Sequence, residues 1–129
     1  MYRNFYVETL AVGVKHWTVR LSATAEADYR EILRWTAENF GLPQARIYAD
    51  TLSSALKALS NGPSIIGVKE RGEIGTNICT LHVARNGYKG RHFVMFRVGS
   101  FQGQNVIDVL RLLHDNMDLV RHLPPAESN

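Results

Sequence analysis

The spacing of the apolar residues changes part-way along the chain, and that change limits the architecture more than any single motif. From Ala25 the positions Ala25, Tyr29, Ile32, Leu33, Ala37 and Phe40 recur at three and four, while Glu26, Arg30, Glu31 and Arg34 fall on the opposite side. This is the stripe of an amphipathic helix, which Ser22 or Thr24 can cap. Gly41 stops it, and Pro43 opens the next helix at a position where the missing N–H costs nothing. A second stripe, Ala45, Tyr48, Leu52, Ala55, Leu56 and Leu59, runs to Gly62-Pro63. Two helices so closely joined form an antiparallel hairpin, each lending one face to a core.

On either side of the hairpin the period is two. WTVRLS alternates Trp17, Val19 and Leu21 against Thr18, Arg20 and Ser22, and NICTLHVA sets Ile78, Thr80 and His82 against Cys79, Leu81 and Val83; both read as strands. HFVMFRV gives a third. After a Gly-containing loop at SFQGQ, VIDVLRLL is apolar enough to be a central strand buried on both faces. The connector PSIIGVKERGEIG predicts no firm element. The order β-α-α-β-β-β implies an α+β fold, the hairpin covering one face of a small, mostly antiparallel sheet.

A chain of 129 residues fits one domain. Residues 15–124 are expected to form it, with 1–14 an N-terminal extension matching no core stripe and 125–129 a tail. The single cysteine, Cys79, rules out an intrachain disulfide framework and a zinc–cysteine cluster, and fits a reducing cytoplasm. No apolar run reaches bilayer-spanning length, so a soluble protein without membrane contact is expected. The net charge of +3 argues weakly for an anionic partner, although from Gly67 to His122 eight Lys and Arg and four His stand against five acids.

The densest polar stretch is LRLLHDNMDLVRHLP, Leu110 to Pro124. His114, Asp118 and His122 recur at i, i+4 and i+8, so on a helix they share a side. At a 1.5 Å rise, however, the two histidines stand roughly 12 Å apart, too far to close on one ion. His114 with Asp118 supplies only two ligands, and no other spacing completes a set, so no metal or cofactor is expected. The simpler reading is a short terminal helix capped by Asp115 or Asn116, with Arg121 and His122 in its last turn and Asp118 paired one turn on.

Taken together, ATAEADYREILRWTAENFG, QARIYADTLSSALKALSNGP, RHFVMFRV and VIDVLRLLHDNMDLVRHLP resemble the RelE/ParE toxins of bacterial type II toxin–antitoxin systems, over Trp17 to Pro124. The Leu113-His114, Asp118 and Arg121-His122-Leu123-Pro124 ending is similar to the ParE-like branch. The resemblance implies a cytoplasmic toxin neutralised by a small antitoxin encoded beside it, as a hetero-oligomer. It also poses two activities. RelE-like members cut mRNA on the ribosome, for which Lys89, Arg91, His92, Arg97, Arg111 and His114 are candidates, with Arg91, Arg97, Arg111 and His114 the closest set. ParE-like members poison DNA gyrase, which needs a complementary surface and no catalytic centre. The chain lacks the Arg cluster and Tyr typical of the nucleases after the last strand, and two aspartates there would repel a phosphate. Arg97 and Arg111 can equally be paired surface residues on neighbouring strands. The gyrase reading is therefore preferred, with His114, Asp118, Arg121 and His122 as a recognition element; a nuclease, or a degenerate toxin that only binds antitoxin, is the alternative. Tyr29, Trp35, Phe40 and Tyr48 are the large hairpin residues an antitoxin segment would cover, core packing being the competing role.

Overall fold

The computed structural model describes residues 2–5 and 17–117. In chain order the elements are β1 (Tyr2–Phe5), β2 (Thr18–Ser22), α1 (Ala23–Phe40), α2 (Leu42–Ala58) with a 3-10 turn at Leu59–Asn61, β3 (Lys69–Glu70), β4 (Ile78–His82), β5 (His92–Phe101) and β6 (Gln104–His114). They build one six-stranded sheet in the order β1-β2-β6-β5-β4-β3. Every neighbouring pair is antiparallel except β2 with β6.

The helix boundaries follow the local chemistry. Ser22 Oγ accepts the amide of Ala25 at 3.0 Å, capping α1. Gly41, at φ +93°, ends α1 and its amide bonds to Ala37 O; Pro43 sits in the first turn of α2. The second stripe is buried largely as its spacing requires: Leu52, Ala55, Leu56 and Leu59 are enclosed with Val19, Leu21, Leu81, Val94, Phe96, Ile107 and Val109, Ala45 is buried and Tyr48 half-buried. Each fully buried Leu contributes about 1.5–3 kcal/mol relative to leaving it in water. The first stripe holds only in part. Ala25 is buried and Tyr29, Ile32 and Leu33 pack on the core, but Phe40 is exposed and Thr36 takes the buried place. The last turn of α1 overhangs the sheet.

β6 is the central strand between β2 and β5, and it serves two clusters. Ile107, Val109 and Leu112 join the helix-covered core, whereas Leu110 and Leu113 join Ile78 and Met95 in a second cluster that contains no helix residue. A bulge makes this possible: Met95 pairs with Arg111 and Phe96 with Val109, leaving Leu110 as the extra residue.

Three sequence readings are corrected. SFQGQ is not an open loop: β5 runs to Phe101 and β6 starts at Gln104, joined by Gln102 (φ +51°) and Gly103 (φ +77°), the paired left-handed residues of a two-residue hairpin. The connector after Gly62 carries a short edge strand, Lys69–Glu70, on β4. Within the stretch read as an extension, Tyr2–Phe5 pairs antiparallel with β2, and the Arg20 guanidinium lies 4.8 Å above the Tyr2 ring. The expected short C-terminal helix lies outside the described residues.

Candidate functional site

Because α1 overhangs, a groove of about 610 Å³ opens between the hairpin and the ends of β5 and β6. Ile32, Trp35 and Phe40 form one wall. Trp35 and Phe40 meet edge to face at 5.7 Å and are 55% and 64% exposed, so two large apolar rings stand open to solvent. Met117 faces them from the chain that leaves β6, and Tyr48 of α2 reaches down to the floor.

The floor is polar and ordered. Tyr48 Oη accepts the Arg91 amide at 3.1 Å and lies 2.6 Å from His92 Nδ1. Burial, then repulsion from His114, holds the His92 pKa down at about 4, with Asp115 opposing. Burial also raises the Tyr48 pKa. The adjacent Gly90 is where the close approach is made: a Cβ there would stand 2.7 Å from Tyr48 Oη and from Val83 Cγ2. His114 packs edge-on to His92 at 5.3 Å, with its Nδ1 at 2.8 Å from Asn116 Oδ1.

Behind this floor Asp115 ties three segments together. Its carboxylate takes Arg91 Nε at 3.1 Å and His82 Nε2 at 2.9 Å, and its amide donates to Arg91 O. Those hydrogen bonds, Arg91 first and then His82, lower its pKa to about 2. Asp115 is thus engaged in the loop around Arg91. Among the described residues no three His, Cys, Asp or Glu side chains are grouped to hold a metal ion.

The residues singled out from sequence are distributed unevenly. Of the nuclease set, Arg91 and His114 share the groove. Arg111 is held by Asp28 of α1, Nε to Oδ2 at 2.8 Å and Nη2 to Oδ1 at 3.0 Å. Arg97 faces Asp108 across β6 and does not line the groove. Arg97 and Arg111 are not cross-strand partners: Arg97 stands opposite Asp108 and Arg111 opposite Met95. Of the hairpin aromatics, Trp35, Phe40 and Tyr48 line the groove. Tyr29 does not: it packs on the core, its hydroxyl 3.0 Å from Ser53 Oγ, beside a second cavity near Phe5. Of the recognition element only His114 is described; Asp118, Arg121 and His122, and the ion pair expected among them, lie outside the described residues. Sequence reasoning missed Gly90, His82 and Met117 as members of this region. The RNGYKGRH run was the available signal, since a Gly between cations marks close backbone approach.

Residues 19–119 match the family model described as ParE toxin of type II toxin-antitoxin system, parDE. The chain is 28% identical over 104 residues to Toxin ParE1 of Caulobacter vibrioides, covering 81% of this chain and 95% of that protein. It is 33% identical over 107 residues to Toxin ParE1 of Mycobacterium tuberculosis, covering 80% and 94%.

Proposed function

The chain belongs to the ParE toxin family of type II toxin–antitoxin systems, and from that premise we propose that it acts by inhibiting DNA gyrase and is neutralised by an antitoxin segment seated in the aromatic groove. The observation that carries the choice of target is the dispersal of the nuclease set. RNA cleavage needs a proton acceptor, a proton donor and cations around one phosphate. Here Arg111 is committed to Asp28 and Arg97 lies away from His114, so that of the set only Arg91 and His114 stand together. A gyrase poison needs a complementary surface instead. For the antitoxin, Trp35, Phe40, Tyr48 and Met117 offer the apolar anchors that a segment folding on contact covers. The toxin unit is taken as residues 15–124, acting in the cytoplasm, where both partners reside; no helix among the described residues is long and apolar enough to cross a membrane.

The test is a supercoiling assay with purified toxin beside a translation assay containing mRNA. Loss of supercoiling with accumulation of cleaved DNA, and intact mRNA, is expected. Ribosome-dependent mRNA cleavage that disappears in His114→Ala with the fold preserved would hand the site to the nuclease reading. Antitoxin binding with neither activity would make the chain a degenerate toxin.

A further inference from the structure

Sulfur is sparse in this chain, three methionines and one cysteine, and the fold places the described ones very differently. Cys79 on β4 is 5% exposed, and burial, then the Glu70 carboxylate, pushes its pKa up, so it stays the unreactive thiol. Met95 on β5 is fully buried in the second cluster with Ile78, Leu110 and Leu113. Met117 is 44% exposed, the one open sulfur among the described residues, and it lines the groove with Trp35 and Phe40. Its amide donates to His114 O at 3.0 Å, so a turn fixed to the end of β6 carries the side chain there.

We propose that Met117 is an oxidation site through which peroxide controls recapture of the toxin: hydrogen peroxide converts its thioether to the sulfoxide in free toxin, and antitoxin then no longer closes on the groove until the sulfoxide is reduced. This rests on the groove being the antitoxin's seat, and adds a chemical control of that seat. A sulfur lone pair attacks one peroxide oxygen, the S–O bond forming as the O–O bond breaks. Sulfur gives up an electron pair, and the departing hydroxide takes the proton of the sulfur-bound hydroxyl and leaves as water. In the reverse step a reductase dithiol removes the oxygen as water and is itself oxidised to the disulfide.

The sulfoxide oxygen is a hydrogen-bond acceptor where the thioether was apolar. In free toxin, water reaches it and satisfies it. Under an apolar anchor that water is lost and the oxygen is left without a donor, which is costly. Seated antitoxin covers Met117 and excludes peroxide, so oxidation falls on toxin already released and prolongs its freedom rather than causing the release. With Met95 and Cys79 shut away from solvent, Met117 is the sulfur among the described residues that peroxide reaches in the folded protein.

The test treats purified toxin with hydrogen peroxide at neutral pH, alone and in complex with the antitoxin encoded beside its gene, and locates the added oxygen by peptide mass mapping. Sulfoxide at Met117 in free toxin, with Met95 unmodified and Met117 protected in the complex, is expected. A Met117 that resists while free N-acetylmethionine amide is oxidised, or that oxidises equally in the complex, overturns the proposal. Antitoxin titrated calorimetrically into oxidised toxin should bind about tenfold or more weakly, with affinity restored by the two epimer-specific methionine sulfoxide reductases and dithiothreitol. Met117→Leu, apolar and without sulfur, should show one affinity before and after peroxide; a loss as large as that of wild type places the sensitive group elsewhere and overturns the proposal. Trp35→Ala separates the switch from its premise. If Trp35→Ala weakens binding and the Met117 sulfoxide does not, the groove is the seat and the oxidation switch is wrong. If neither weakens it, the reading of the groove as the antitoxin's seat is what fails, and the switch with it.

Discussion

Two Arg–Asp pairs in this molecule join the same residue types with opposite consequences. Past Ser22, β2 no longer covers the edge of β6, and α1 seals it: Ser22 Oγ donates to Leu110 O, Asp28 accepts the Leu112 amide at 3.0 Å, and Arg111 closes on the same carboxylate with both side chains about one-fifth exposed. At the groove, Arg91 meets Asp115 at 3.1 Å, but the Arg91 side chain is 70% exposed. A pair shut away from water is architecture, because removing one partner strands the other and a backbone N–H with it. An exposed pair adds little to stability and is free to be re-partnered. The toxin thus fixes its sheet edge at one end of α1 and leaves an open groove at the other.

The strongest way to break this contrast is Asp28→Ala. It should lower unfolding stability by about 2–4 kcal/mol in urea titration, while Arg91→Ala leaves the midpoint close to wild type. Equal midpoints for the two variants would erase the distinction. Next in size is Gly90→Ala. The new methyl pushes on Tyr48 and Val83, costing about 1–3 kcal/mol of stability and breaking the Tyr48–His92 bond. The check is the His92 titration by NMR, which should move up towards the ordinary imidazole value as the ring is released. An unmoved titration would show that Gly90 does not seat Tyr48.

How far the two regions can be read from sequence differs for a physical reason. The hairpin, four of the six described strands and the central place of β6 follow from local periodicity, and Ser22, Gly41 and Pro43 mark their own boundaries. Periodicity misplaced Phe40 because it takes the sheet to extend as far as the helix. The Gln102-Gly103 turn was read as open loop because Gln in a left-handed conformation is an uncommon turn signal. Nothing local announces that Asp28 reaches residues 111 and 112, or that Tyr48 reaches residue 92; such pairings exist only once the chain is folded. The groove was legible as a set of residue types, Trp35, Tyr48, Arg91 and His114, but not as a place, and Tyr29 was assigned to it because helical spacing gives the face and not the distance along it.

A smaller effect separates the aromatics themselves. Trp35→Ala should weaken antitoxin binding by about 1–2 kcal/mol and leave the urea midpoint unchanged, since its ring packs edge-on against an equally exposed Phe40. Tyr29→Phe should do the reverse, leaving binding unchanged and costing about 0.5–1.5 kcal/mol of stability through the lost Ser53 bond. Binding losses in both would extend the antitoxin's footprint beyond the groove.

The smallest expected effect concerns acid, and it belongs to the groove. His92 is held at about 4 in the folded protein against 6.5 for a free imidazole, so between those values the unfolded chain binds the extra proton. Stability therefore rises with pH across this window and is lost as pH falls from about 6.5 to about 4. For a half-buried ring, screened by solvent, the total is on the order of 1 kcal/mol. Asp115, lowered to about 2 from 3.8, is shifted in the same direction, though in favour of its charged form where His92 is held neutral, and its contribution is complete above about 3.8 and disappears towards pH 2. The two windows adjoin without coinciding, so urea midpoints measured from pH 7 down to 2 should fall in two stages. His92→Phe should flatten the upper stage and leave the lower one, whatever its effect on absolute stability, because the slope reports only the proton that His92 takes up. Asp28→Ala, less stable throughout, should keep the upper stage. If the slope between 6.5 and 4 instead survives His92→Phe, the acid response lies elsewhere, and the groove loses the one electrostatic property that distinguishes its floor from the sealed edge of β6.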